Sequence, residues 1–222
     1  MARKRIIDRD MAVTAAIEMA DTEGILALSL RALGERLGVT QAAFYRHLRD
    51  KDALIDAMCD AVWEEVSETA RREVAEHPAP DWRSYAHMVA LSLWDTLQRH
   101  PGMVSAMATR LFSTPRQYQL MAESMSWPGV PTPITQDALD LLAAEFAYTF
   151  GCAAAVLTFE ADGRERLLSM DRALAEMVES PQLAETFSSW AHERGPGNGF
   201  QLSRGLQTLS ESWPFENDDH CE

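Results

Sequence analysis

Apolar residues recur at intervals of three and four along most of the chain, and no stretch shows the period of two that a half-buried strand requires. The spacing predicts helices throughout and an all-α fold. Val13, Ala16, Ile17 and Ala20 share one face of a first helix that Asp8 can cap and that closes over Asp21 to Gly24. Leu30, Leu33 and Leu37 mark a second, capped by Ser29 and stopped at Gly38, where a left-handed residue is cheap. Val39 plugs the corner. Thr40 can cap a short helix from Gln41 to His47, with Phe44 as its inward anchor. Asp50 can cap a long one from Lys51 to about Glu76, with Leu54, Ile55, Met58, Ala61, Val62 and Val66 inward and Glu64, Glu65, Glu68 and Arg72 outward.

His77-Pro78-Ala79-Pro80 ends that helix, because proline cannot continue it. Six more are predicted. They run from Trp82 to about Arg99, Met103 to Phe112, Pro115 to about Ser126, Gln136 to about Glu160, Arg164 to Val178 and Pro181 to about Arg194. Asp162-Gly163 reads as a turn between the fourth and fifth of these, 127–133 as a proline-rich loop and 195–199 as a flexible link. A last helix covers Phe200 to Ser212, and the acidic tail frays. The expected domains are 1–50, a connecting helix 51–76, a body 77–213 and a disordered tail 214–222.

Two helices joined by a short Gly-containing turn, the second short and polar outward, form the helix-turn-helix pattern. Gln41 can make paired bonds to adenine, Arg46 to guanine or phosphate, and Ala42 and Ala43 let the helix approach a thymine methyl. Tyr45, His47 and Lys51 suit phosphates, which position a protein without reading sequence. Thr40, at the amide end of the short helix, is counted with this set. The amide end at Lys51 adds partial positive charge for a phosphate oxygen. The bland alternative is a polar helix on an ordinary bundle. Caps, corner, anchor and the aromatic–basic run agree on the first reading.

The stretch LSLRALGERLGVTQAAFYRHLRDKDALIDAM resembles the DNA-binding domain of the tetracycline-repressor (TetR) family over about residues 8–58. Arg31, the Gly-Val-Thr corner, the Phe-Tyr-Arg-His block and the DKDAL entry carry the likeness. The resemblance implies that Arg31, Gln41, Ala42 and Ala43 face bases while Tyr45, Arg46, His47 and Lys51 hold phosphates. Phe44 and Arg46 depart from common family choices, and Arg46 changes the local contact pattern. A weaker likeness to the tetracycline-repressor branch runs through DWRSYAHMVALSLWDTLQRHPGM, the following Ala-Thr-Arg and a Phe-Gly-Cys helix. Ala106 stands where that branch has a metal-binding His, and 85–92 holds no Asn, which argues against a magnesium–tetracycline ligand. No metal or cofactor is expected.

In the body, Ala147, Gly151 and Ala154 let another helix approach 136–160, and Phe200 and Leu206 give the last helix an apolar face. The resemblance implies that these helices build a four-helix dimer bundle. An intrachain core explains any one of them equally well. A two-fold dimer is also what a helix-turn-helix needs to read two half-sites. Met88, Leu91, Trp94, Met103, Met107, Phe112, Tyr118, Met121, Met125, Phe146 and Phe150 supply soft and aromatic surface suited to apolar or aromatic ligands. Singly, each is core filler as readily as a pocket wall. The resemblance implies a small-molecule pocket among these helices.

Charge sharpens the picture. Residues 1–51 hold 9 Lys+Arg against 7 Asp+Glu, while the other 171 hold 11 against 27, so a head of +2 sits on a body of −16. Duplex DNA would repel the body and leave only the head able to dock. Arg3, Lys4 and Arg5 form a basic arm that can follow a groove or remain a solubilising terminus. Cys59, Cys152 and Cys221 lack metal-ligand spacing and suit a reducing cytoplasm. The basic start lacks an apolar signal region, and no stretch reads as a membrane span. The expected function is a cytoplasmic, homodimeric, DNA-binding repressor released by a small-molecule effector. The rival is an all-α enzyme with an incidental helix-turn-helix, but no nucleophile–base pair or phosphate loop supports it.

Overall fold

The computed structural model describes residues 8–40, 44, 48–177, 180–194 and 200–215, with the side chains of 158–177, 187, 191–194 and 200 outside the description. The described residues are all-helical: α1 (Arg9–Glu23), α2 (Leu30–Leu37), α3 (Lys51–Glu76), α4 (Trp82–Arg99), a 3-10 turn (Pro101–Met103), α5 (Val104–Thr109), α6 (Pro115–Ser124), α7 (Gln136–Met177), α8 (Pro181–Arg194) and α9 (Phe200–Ser212). Helix starts at Asp8 and Asp50 follow the predicted caps. The side chains of Asp8, Asp50, Asp81, Thr114, Thr135 and Ser180 each accept the amide three residues on, satisfying donors that a helix start would otherwise leave orphaned.

Contacts divide the chain into two compact units, Met1–Pro80 with Asp95–Val130, and Asp81–Trp94 with Pro131–Glu222. In the first, Val13, Ala16, Ile17 and Ala20 of α1, Leu30 and Leu33 of α2 and Leu54, Met58, Val62 and Val66 of α3 are all buried, as their spacing predicts. Burial of the Val, Leu, Ile and Met side chains among them contributes roughly 1.5–3 kcal/mol each before entropy is counted. In the second, α9 packs along α7, with Leu202 and Leu206 against Ala90 of α4 and Tyr148 and Cys152 of α7.

Three expectations need correction. The predicted turn at Asp162-Gly163 is absent, and α7 continues to Met177. Glycine weakens a helix by about 1 kcal/mol but keeps its N–H, so it does not interrupt the ladder as proline does. The helix expected from Met103 to Phe112 is shorter. It stops at Thr109, Arg110 turns toward α3, and Phe112 sits at φ 53°. Finally, Gln136–Leu157 is long and apolar enough to cross a membrane by length and composition alone. It is instead a partly buried core helix: Leu141, Leu142, Glu145, Thr149 and Phe150 are buried, and its Tyr148 hydroxyl donates to the Gln201 carbonyl of α9.

Candidate nucleic-acid interface

The head is built by local chemistry that is complete on both sides of residues 41–47. Ser29 Oγ accepts the Ala32 amide at 3.1 Å and starts α2. At its other end Gly38 takes the left-handed conformation (φ 69°, ψ 33°). Val39 N–H bonds to Gly34 O at 2.9 Å and Gly38 N–H to Glu35 O, the paired bonds of a Schellman motif. Phe44 is buried as predicted, as is Leu48, whose amide donates to the Phe44 carbonyl at 2.8 Å. Gln41, Ala42, Ala43, Tyr45, Arg46 and His47, which carry the predicted base and phosphate contacts, lie outside the described residues, as do Arg3, Lys4 and Arg5.

Around this segment the described head presents cations. Arg31, in the first turn of α2, is 82% exposed and bonds to Glu35 at 3.0 Å, an exposed pair that solvent keeps weak. Thr40 and Lys51 are exposed. The amide end of α3 is less free than expected, because Asp50 Oδ1 already accepts the Ala53 amide at 2.8 Å. That bond, helped by Arg49, holds the Asp50 carboxyl below its usual range. Arg49, 88% exposed and 2.9 Å from Asp50, offsets the carboxylate and adds a cation that the motif reading did not assign.

Two sets of contacts bind this head to the rest of its unit. The His100 ring meets Asp21 Oδ2 through Nδ1 at 2.9 Å and Glu65 Oε2 through Nε2 at 3.3 Å, and the Gly102 amide donates to Asp21 Oδ1 at 2.9 Å. The hydrogen bond to Asp21 is the main cause that holds the His100 pKa above its ordinary value. Along α3, Asp52, Asp56, Asp60 and Glu64 recur every four residues and form one acidic row. Arg110 bonds to Asp52 and Asp56, each at 2.7 Å. Thr114 and Gln117 hold Asp60, and Arg116 reaches Glu64 at 2.7 Å. A sequence reading could see the row's spacing. It could not see the partners, which lie 52 to 58 residues away.

The candidate pocket residues divide between the units. Met103 and Met107 are fully buried in the first unit, with Phe112, Met121 and Met125 half-buried there. Tyr118 is 55% exposed, its ring 5.6 Å from that of Phe112. Phe150 is buried in the second unit, Met88, Trp94 and Phe146 are half-buried, and Leu91 is exposed. A polar groove lined by Glu64, Glu65, Glu68, Arg72, Asp95 and Arg99 includes none of them. Of the candidate dimer residues, Ala147, Gly151 and Ala154 form an exposed face of α7, and a Cβ added at Gly151 meets nothing within 4 Å. Leu206 is instead spent inside its own unit, with no exposed surface, and the Phe200 side chain lies outside the described residues. Among the described residues no three His, Cys, Asp or Glu side chains group as metal ligands. Burial pushes the Cys59 thiol up to about 12, which suppresses the reactive thiolate.

Residues 12–58 match the family described as bacterial regulatory proteins, tetR family. Over 211 residues the chain is 26% identical to an HTH-type transcriptional regulator of Saccharopolyspora erythraea, covering 95% of this chain and 74% of the relative. It is 27% identical over 214 residues to the class C tetracycline repressor of Escherichia coli, covering 91% and 89%. Among solved structures, Streptomyces coelicolor ActR in complex with actinorhodin superimposes with a TM-score of 0.66 at 22% identity, covering 91% of this chain and 94% of that one.

Proposed function

Because this chain belongs to the TetR family of DNA-binding transcriptional regulators, which are not enzymes, we propose that it is a cytoplasmic, homodimeric repressor that a small molecule releases from its operator. The contact row along α3 is the observation that carries the release step. A helix whose first residue, Lys51, sits beside the DNA-reading segment is gripped over its next four turns by residues 110–117. Movement of 110–117 therefore displaces Lys51 and the segment before it, and the two reading helices of a dimer no longer match successive grooves. Coupling of this kind is typically ~1–3 kcal/mol. The effector binds in the helical body, and the exposed small face of α7 pairs with its copy. The class C tetracycline repressor of Escherichia coli, 27% identical to this chain, is a repressor by name, which supports the repressor reading.

Selection of bound duplexes from a random pool, then titration of specific and scrambled sites, tests the reading. A preference of ~10³ or more that persists at moderate salt is expected, and the bound site should be a near-palindrome. Equal affinity for both duplexes overturns it. Within that assay Gln41→Ala should lower specific affinity about tenfold and relax one base position. Lys51→Ala should weaken both duplexes alike and reduce the salt slope by about one. Uniform losses from both substitutions would contradict the assigned roles.

A further inference from the structure

The second unit buries a set of polar atoms that have no partner among the described residues. Helix α9 runs antiparallel to α4, since Arg83 donates to the Trp213 carbonyl at 2.7 Å while Ala90 packs on Leu202 and Leu206. It also runs antiparallel to α7, since Tyr148 reaches Gln201 while Ser210 Oγ donates to Glu145 Oε1 at 2.6 Å. His87 of α4, Glu145 of α7 and Ser210 of α9 therefore stand at about one level, with Thr149 a turn further along the same face of α7. Glu145 and Thr149 have no exposed surface. Glu145 Oε2, Thr149 Oγ1 and His87 Nδ1 are each buried without a hydrogen-bond partner among the described residues.

Native cores rarely leave such atoms unpaired, because each has given up water for nothing. Their chemistry is shared. A carboxylate oxygen accepts, a hydroxyl oxygen accepts, and a neutral imidazole accepts at Nδ1 when its proton is on Nε2. Burial disfavours the charged form of His87 and so keeps it neutral. Burial also raises the Glu145 pKa to about 7, with the Ser210 bond opposing, and no cation pairs with it among the described residues. The site thus offers three acceptors and a carboxyl that lacks a counter-charge. A primary ammonium offers three N–H donors and that charge. Trp94 and Tyr148, packed beside Ala90, Leu202 and Leu206, provide an aromatic and apolar surround for whatever carries it.

We infer that this level of the second unit anchors the protonated amine of a small apolar or aromatic ligand, with Glu145 taking its charge and Thr149 and His87 its remaining hydrogens. This rests on the effector reading above and names the chemical class of the effector.

The test uses the full-length protein and three matched probe pairs: benzylamine, 1-naphthylmethylamine and 9-anthracenylmethylamine, each against the corresponding alcohol, by calorimetry at pH 7. At least one amine should bind tenfold or more tightly than its alcohol. Glu145→Gln should bring that pair to within about threefold, and Thr149→Val should weaken the amine by several-fold. If no amine outbinds its alcohol, the inference falls, and that outcome needs no variant to fold. It falls also if the preference survives both substitutions, which is the signature of attraction to a surface of net charge −14. Operator affinity measured with and without the tightest amine separates the two readings. Site-dependent binding with unchanged operator affinity keeps the amine site and ends the release reading. Release by uncharged compounds without any amine preference does the reverse.

Discussion

Gly102→Ala is expected to destabilise the first unit by about 3 kcal/mol. An added Cβ would overlap the Ala20 carbonyl and lie 2.6 Å from the Asp21 nitrogen. Both are backbone at the end of α1, so no rotamer change relieves the clash. The turn must lift away, taking with it the bond from the Gly102 amide to Asp21 and the His100 contact to the same carboxylate. For a chain of this size the melting temperature should fall by roughly 6–12 °C. Gly151→Ala supplies the contrast. Nothing lies within 4 Å of its added Cβ, and alanine favours the helix by up to about 1 kcal/mol, so the chain itself should lose nothing. Scanning calorimetry of both variants at one protein concentration decides the matter. A Gly102→Ala midpoint within about 2 °C of the parent would show that the turn is free to shift.

Glu145→Gln is expected to flatten the dependence of stability on pH. A buried carboxyl whose pKa rises from 4.5 to about 7 is held neutral by the fold. Its contribution is therefore full below the unfolded value and is lost as pH rises through about 7. A shift of that size corresponds to roughly 3 kcal/mol between pH 5 and pH 8. His100 acts in the same direction, because its Asp21 bond raises its pKa and its stabilising charge is lost as pH rises. That term is common to both proteins and cancels in the difference. Urea unfolding at pH 5, 6, 7 and 8 should show the parent losing stability more steeply than the glutamine variant, whose side chain keeps an oxygen for Ser210. Parallel slopes would show that Glu145 is ionised in the folded protein throughout.

Much of this protein is written in short stretches of chain. Helix starts at Asp8, Ser29 and Asp50 were legible because a cap and the amide it satisfies lie three residues apart. The stop at Gly38 and the inward place of Phe44 were legible for the same reason. The family likeness sits in that part, where local chemistry and DNA-facing chemistry overlap. The Asp162-Gly163 reading failed because a turn signal has force only where no helix continues on both sides of it.

What only the tertiary structure decided is which polar residues meet. Glu64 reads as solvent-facing, and Asp52, Asp56 and Asp60 precede it at intervals of four, yet each of the four has a partner more than fifty residues away. Glu145 lay hidden in a run that reads as almost wholly apolar, and its burial depends on Ser210, 65 residues on. Leu206 could serve a dimer or a core on its pattern alone, and packing against Ala90 gave it to the core. Periodicity determines which face of a helix turns inward. It carries no information on what stands opposite, because that is settled by how separate helices share the space between them.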